Sequence, residues 1–183
     1  MQRTSLKDAP CPIARGIERI GDPWTVLILR EAFYGATRFD EFQKRLGIAP
    51  NMLTRRLNTL VQEGMLRRRQ YSEHPPRSEY VLTDLGRDFR PVLLTLLAWG
   101  NRHFAPEGEI VQLVERKSGR VVRPILVDEA TLQRITVEDH RIAPGPAASE
   151  GLRTRLGRPS HPPLSTTEPA LSTMGTLDSG DMS

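Results

Sequence analysis

A short polar stripe in the first half of the chain carries side chains suited to contact nucleic acid. It consists of Asn51, Thr54, Arg55 and Asn58. Spacings of three and four residues place these side chains on one face of a helix that begins at Pro50. Arginine commonly reads guanine, and asparagine reads adenine through a pair of hydrogen bonds. An ordinary solvated helix face has a similar composition. The stripe therefore indicates DNA contact only in combination with the elements around it.

The residues around this stripe follow the plan of a winged helix. The opposite face of the same helix is apolar, with Leu53, Leu57, Leu60 and Val61. The turn of residues 47–50 precedes the helix, and two candidate strands, 65–71 and 78–82, follow it around a Pro-Pro-Arg tip. Helix, turn, helix and hairpin in this order are typical of domains that dock on DNA.

The hairpin supplies a second set of cations. Strand alternation directs Arg67 and Arg69 to one face and Arg68 to the other, so at most two of the three arginines share a phosphate-facing surface. Arg77 stands at the tip, where arginine suits a narrow minor groove. The alternative is a solvated edge strand whose charges prevent aggregation.

Four further helices are predicted to position the stripe. Pro12 suits a first helical position, and Asp22 can cap a second helix that has Pro23 near its start. A third is expected to begin at Thr37, capped in part by Asp40, and a long one to run from Asp84 to about Phe104 with a kink at Pro91. The expected fold class is α+β, mainly helical.

The chain is expected to divide into four segments. Residues 1–10 are a flexible start, and residues 11–104 form the winged-helix domain. Residues 105–143 form a small β-rich extension, with a hairpin signal at residues 117–119. Residues 144–183 are rich in Pro, Gly, Ser and Thr and have few large apolar side chains, which predicts a disordered tail.

Composition restricts the function class. The 183 residues carry a net charge of +4, and the sequence pI of about 9.7 suits a polyanionic partner. The single cysteine cannot form a disulfide within the chain. The sequence has no run of about 18 apolar residues, so no membrane span is predicted. No nucleophile triad, phosphate loop or metal cluster is visible, so we expect no enzyme, no cofactor and no metal. The expected location is the cytoplasm, at the nucleoid.

The order of motifs over residues 11–103 resembles the HxlR-type bacterial transcription regulators. The motifs that carry the resemblance are Cys11-Pro12, Gly21-Asp22-Pro23-Trp24-Thr25, Arg38-Phe39-Asp40-Glu41-Phe42, Leu53-Thr54-Arg55-Arg56-Leu57, Pro75-Pro76-Arg77 with Ser78 to Thr83, Gly86 and Trp99-Gly100. MarR-type regulators are also winged and dimeric, but the residue 75–83 wing and the Cys-Pro start favour the HxlR type. The sequence departs from the HxlR pattern at Ala49, where the family often has a serine cap.

The resemblance implies a homodimer that binds operator DNA. In that family the first and last helices build the dimer, and one recognition helix enters the major groove at each half-site. The matching apolar positions, which we expect at the dimer interface, are Ile13, Ile17, Phe89, Val92, Leu96 and Trp99.

Cys11 is a candidate sensor of oxidants or electrophiles. It precedes Pro12 at a helix N-terminus, where the helix dipole favours a thiolate, and some members of the resembled family sense electrophiles with a cysteine at the matching position. The alternative is a small apolar residue at the dimer contact. The longer relatives sometimes carry paired cysteines in their extension, which this chain lacks.

These observations predict a sequence-specific regulator of transcription, acting as a homodimeric repressor. The competing prediction is a winged-helix protein-interaction module that has no specific affinity for DNA. The sequence leaves the operator and any small-molecule effector open.

Overall fold

The computed structural model describes residues 5–157 and divides the chain into two compact units, residues 1–134 and 135–183. No helix in the described part is long and apolar enough to cross a membrane. The first unit contains α1 (Pro12–Ile20), α2 (Pro23–Phe33), α3 (Phe39–Leu46), α4 (Pro50–Gln62), β1 (Leu66–Ser72), β2 (Arg77–Leu82), α5 (Asp84–Asp88), α6 (Arg90–Phe104), β3 (Leu113–Val114) and β4 (Val121–Val122).

Short-range hydrogen bonds explain where the helices begin. The Asp22 carboxylate accepts from the Trp24 backbone N–H at 2.9 Å, so the predicted cap of α2 is confirmed. The cap of α3 differs by one residue from the Thr37–Asp40 prediction. Arg38 is the N-cap, and Glu41 accepts from the backbone N–H groups of Thr37 and Arg38 at 2.8 and 3.0 Å. Glutamate reaches back from the third helical position more readily than the shorter aspartate, which explains the shift.

The core of the first unit lies between α2, α3, α4 and the start of β1. Its fully buried side chains belong to Ile28, Leu29, Phe42, Leu53, Leu57, Leu60 and Leu66. The three leucines of α4 lie one helical turn apart, as the sequence predicts, and each is 0% exposed. This face anchors α4 and leaves the opposite face to solvent.

The hairpin is antiparallel and is fixed to the start of α3. Leu66 pairs with Leu82 and Arg69 with Glu79, and a bulge at Tyr71 precedes the tip. The Tyr80 backbone N–H donates to the Thr37 carbonyl at 2.7 Å. This bond fixes the hairpin relative to the helices, so the wing has a defined place beside α4.

The predicted single long helix is two helices. The expectation of a kinked helix from Asp84 to about Phe104 is wrong, because α5 ends at Asp88 and α6 begins at Arg90. Proline has no N–H to continue the ladder, and Pro91 becomes an early residue of α6 instead. The Thr83 cap of α5 is confirmed, since its hydroxyl oxygen accepts from the Gly86 N–H at 3.0 Å.

The extension is less regular than predicted. A hairpin does form around residues 117–119, but β3 and β4 pair over only two residues each, and Val127 bridges to Arg134. In the second unit, α7 (Glu150–Gly157) replaces part of the segment predicted to be disordered. Leu152 and Leu156 lie one turn apart in it and are half-buried, which gives this short helix an apolar side. Residues 158–183 of the predicted tail lie outside the described residues.

Candidate nucleic-acid interface

The polar face of α4 is the best candidate for base contact. Asn51, Thr54, Arg55 and Asn58 are all exposed. Each projects away from the buried leucines of the same helix, so α4 can enter a groove without disturbing the core. The prediction that these four residues share an outward face is confirmed, whereas their contact with bases stays a prediction.

Two of these side chains are ordered by bonds within α4. The Thr54 hydroxyl donates to the Pro50 carbonyl at 2.9 Å, which turns the hydroxyl toward the backbone and leaves the methyl group outward. An Arg55 N–H contacts the Met52 sulfur at 3.3 Å, a weak acceptor. Arg55 therefore loses little when it exchanges this contact for a guanine or a phosphate.

Arg56 positions α4 rather than facing outward. One guanidinium nitrogen lies 2.8 Å from an Asp22 carboxylate oxygen, and both side chains are mostly buried. Because Asp22 also caps α2, the ion pair connects the middle of α4 to the start of α2. Sequence reasoning missed this role. The helical period contained the signal. It places residue 56 beside the apolar positions 53, 57 and 60 and not on the polar stripe.

The wing arginines differ in their partners. Arg69 forms two bonds of 2.8 and 2.7 Å to one carboxylate oxygen of Glu79. The hydrogen bond from Arg69 holds the pKa of Glu79 below its ordinary value, so the pair is charged at neutral pH. Arg67 is exposed and has no ion pair among the described residues. The two arginines predicted to act together are thus unequal, and Arg67 is the freer cation.

The junction of α3 and the wing adds a cation, Arg38, that the sequence analysis did not single out. Arg77 is exposed at the start of β2, as expected. The Arg38 guanidinium lies 5.0 Å from the centre of the Tyr71 ring, so it stands at the junction of α3 and the wing. Glu41 already accepts from the Thr37 and Arg38 N–H groups at this helix start, so no local pattern singled out Arg38.

The predicted dimer face is apolar and largely open. The exposed fractions of Ile13, Ile17, Val92, Leu96 and Trp99 are 67, 47, 52, 47 and 52%. An open trough of about 490 Å³ between α1 and the α5–α6 junction contains Ile13, Ile17, Phe89 and Val92. Half-exposed large apolar side chains in one patch indicate an interaction surface. The partner that covers it stays a prediction.

Cys11 occupies the N-cap of α1 and is half-buried. Its backbone carbonyl accepts from the Arg15 N–H at 3.1 Å, and no side-chain bond caps the helix. This placement agrees with both interpretations of the residue. In residues 5–157, no group of three His, Cys, Asp or Glu side chains could hold a metal ion.

Comparisons with known proteins agree with this geometry. The family model "HxlR-like helix-turn-helix" matches residues 19–108. The chain is 38% identical over 135 residues to the HTH-type transcriptional regulators Mb3122 of Mycobacterium bovis and Rv3095 of Mycobacterium tuberculosis, covering 73% of this chain and 85% of each relative. Both relatives are uncharacterised.

Two solved structures are also similar. PA1607, a candidate transcription factor, shares 44% identity at a TM-score of 0.69, over 76% of this chain and 99% of its own. PA1374 from Pseudomonas aeruginosa, likewise a candidate transcription factor, shares 54% identity at a TM-score of 0.58, over 80% of this chain and 100% of its own. The expected α+β winged-helix fold is thereby confirmed.

Proposed function

Since the chain belongs to the HxlR-like helix-turn-helix family of DNA-binding transcriptional regulators, we propose that it is a homodimeric repressor of specific operators. The observation that carries the proposal is the two-sided structure of α4. Its leucines are fully buried, while Asn51, Thr54, Arg55 and Asn58 are exposed beside a basic wing.

The side chains divide into base readers and phosphate contacts. Arg55, Asn51 and Asn58 have the donors and acceptors that distinguish bases in the major groove, and Thr54 presents a methyl group that suits thymine. Arg67 and Arg77 contact phosphates and set the register of the wing. Arg69 contributes less to phosphate binding than Arg67 and Arg77. Its guanidinium is bound to Glu79, and it must break this ion pair or keep it while it contacts the phosphate.

The apolar face of α1, α5 and α6 supports the dimer. A two-fold axis through this patch buries Ile13, Ile17, Phe89, Val92, Leu96 and Trp99 against the same residues of a second copy. A dimer of this type presents two α4 helices to half-sites that are about 34 Å apart, one turn of DNA. Occupation of such a site within a promoter excludes RNA polymerase, which is the proposed mechanism of repression.

Selection of genomic DNA fragments by the purified protein tests specific binding. We expect enrichment of a site with two related half-sites, and transcription in vitro from the enriched promoter should fall when the protein is added. Recovery of fragments without a shared sequence would favour the protein-interaction module instead. Stimulated transcription would retain DNA binding but contradict repression.

Arg55→Ala tests the assignment of base reading. We expect it to weaken operator binding by about 1–3 kcal/mol while affinity for random DNA stays nearly constant, because a base contact contributes only at the correct sequence. Arg67→Ala is the matched comparison: as a phosphate contact, it should weaken both complexes alike and lower the salt slope by about 1. Fluorescence anisotropy over a series of salt concentrations measures both effects. Equal losses for Arg55→Ala on both DNAs would reclassify Arg55 as a phosphate contact.

A further inference from the structure

A second apolar cleft of the first unit is separate from the polar face of α4 and from the trough of the proposed dimer, and of the six proposed dimer residues it shares only Leu96. It lies between α2, α6 and the residues that lead into β3, and its volume is about 340 Å³. The walls include Leu27 and Phe33 of α2, Leu93 and Leu97 of α6, and Val111. Clefts that bind small molecules are typically about 300–1,000 Å³ and mostly apolar.

The extension forms one wall of this cleft. The Asn101 side-chain amide donates to the Val111 carbonyl at 2.8 Å, which fixes the segment before β3 against α6. The family match ends at residue 108, so this wall comes from residues beyond the matched domain. The hydrogen bond thus makes a three-sided cleft from what would otherwise be a shallow groove between α2 and α6.

The charges of the cleft have one sign. Arg30 and Arg90 are its charged lining residues, and no lining residue is acidic. Arg30 is partly neutralised, because it lies 2.7 Å from a Glu31 carboxylate oxygen. Arg90 is exposed and has no ion pair among the described residues. An apolar cleft with a free guanidinium complements an apolar molecule that carries one anionic group.

We propose that this cleft binds an amphipathic organic anion, an aromatic or aliphatic carboxylate. Its apolar part packs against Leu27, Phe33, Leu93 and Leu97, and its carboxylate forms charge-assisted hydrogen bonds with Arg90. One face of α2 lines the cleft while Ile28 and Leu29 of the same helix pack in the core that holds α4. The site is therefore placed to receive an effector.

Calorimetric titration of the full-length protein with 2-naphthoate and octanoate tests the proposal. 2-Naphthalenemethanol, which keeps the rings but lacks the charge, is the matched ligand. We expect saturable binding of both anions at one site per chain, and binding of the alcohol at least tenfold more weakly. Absence of saturable binding for both anions would overturn the proposal.

Arg90→Gln locates the anion. We expect it to weaken naphthoate binding at least tenfold, because it removes the cation that pairs with the carboxylate. The weak binding of the alcohol should stay unchanged, because the alcohol has no charge that could pair with Arg90. Arg102→Gln, at an exposed position of the same helix that does not line the cleft, should bind naphthoate like the wild type. Equal effects of the two substitutions would contradict the site.

Two further measurements distinguish other occupants. If a chain ended after Gly157 bound naphthoate more than tenfold better, residues 158–183 would be the occupant. If naphthoate were excluded in step with self-association, measured by sedimentation, a second copy would cover the cleft. Either result would overturn the proposal, whereas unchanged affinity in both supports it.

Discussion

The α4 side and the α1–α6 side of the first unit use similar apolar patterns in opposite ways. On α4, Leu53, Leu57 and Leu60 are fully buried by other parts of the same chain. On α6, Val92, Leu96 and Trp99 repeat at similar intervals, yet each is about half exposed. The first face is closed within the chain, and the second stays open among the described residues.

The difference shows what a hydrophobic period can predict. A repeat of three and four residues tells which face of a helix is apolar, but it does not tell which surface covers that face. For α4 the covering elements lie in the same unit. For α6 no element of residues 5–157 covers this face, and the homodimer supplies the cover in our proposal.

The largest expected effect comes from charging the open face. Leu96→Asp combined with Trp99→Asp should yield folded monomers, because each carboxylate would be buried without a partner in the dimer but is solvated in the protomer. We expect dimer affinity to fall by more than a thousandfold, about 4 kcal/mol. Sedimentation gives the mass, and circular dichroism reports the fold.

Leu57→Asp provides the comparison on the closed face. Leu57 is 0% exposed, so this change should unfold the protomer and not merely separate two copies. A folded dimer of the Leu96 and Trp99 double variant would show that the partner binds elsewhere. An unfolded one would show that α6 belongs to the protomer core.

The sequence predicted the local starts of helices better than their tertiary contacts. Residues whose signal is local, such as Asp22 before Pro23 and Thr83 before α5, were placed correctly because a cap depends on bonds within one turn. Arg69 was predicted to contact phosphate together with Arg67, but it pairs with Glu79, which lies ten residues away on the next strand. The helical period indicates that Arg56 lies beside the apolar face of α4, but no local pattern identifies Asp22, 34 positions earlier, as its partner.

Gly86→Ala should have the next largest effect on stability. Gly86 lies where α5 packs against Met65, directly before the first strand of the wing. A Cβ at residue 86 would lie 2.1 Å from the Met65 carbonyl oxygen, so the helix or the start of the wing must move. Overpacking of this kind costs about 1–3 kcal/mol or more of unfolding free energy. Chemical denaturation measures the loss.

Gly100→Ala is the matched control on α6. A Cβ there meets nothing within 4 Å, and alanine favours a helix interior, so stability should rise by up to about 1 kcal/mol. Equal destabilisation by both substitutions would show that α6 packs as tightly as α5, which would contradict the open face.

A smaller effect is expected at the start of α3. The backbone N–H groups of Thr37 and Arg38 hold the pKa of Glu41 below its ordinary value of 4.5. Because the folded pKa lies below the unfolded one, the stabilisation is complete above the ordinary value and is lost as pH falls through the folded pKa. Glu41→Gln should cost about 0.5–1 kcal/mol at pH 7 and progressively less below pH 4.5.

Asp40→Asn controls for charge in the same helical turn. Asp40 does not accept from the two cap amides, so its removal should cost only about 0.3 kcal/mol at pH 7. Urea unfolding at several pH values, taken as variant minus wild type, separates Glu41 from Glu63 and Glu79, whose pKa values ion pairs also lower. A pH-independent difference for Glu41→Gln would contradict a role for the carboxylate charge.

The smallest expected effect is that of removing the second unit. The polar face of α4, the wing and the apolar face all lie before Arg134, where the first unit ends. From Ile135 onward the sequence has four arginines against six acidic residues, so it offers no basic arm for phosphates. A chain ended after Arg134 should keep operator affinity within about twofold, roughly 0.4 kcal/mol, with an unchanged salt slope.

A second truncation, after Gly157, shows which residues cause any loss of operator affinity. If only the shorter chain lost more than tenfold in affinity, residues 135–157, with Arg153 and Arg155 of α7, would contact DNA or support the dimer. If both truncated chains lost operator affinity equally, residues 158–183 would be responsible. Sedimentation of the same samples distinguishes the two causes, because a chain that still dimerises but binds with a smaller salt slope has lost phosphate contacts. Unchanged affinity in both would confine recognition and assembly to the two faces of the first unit.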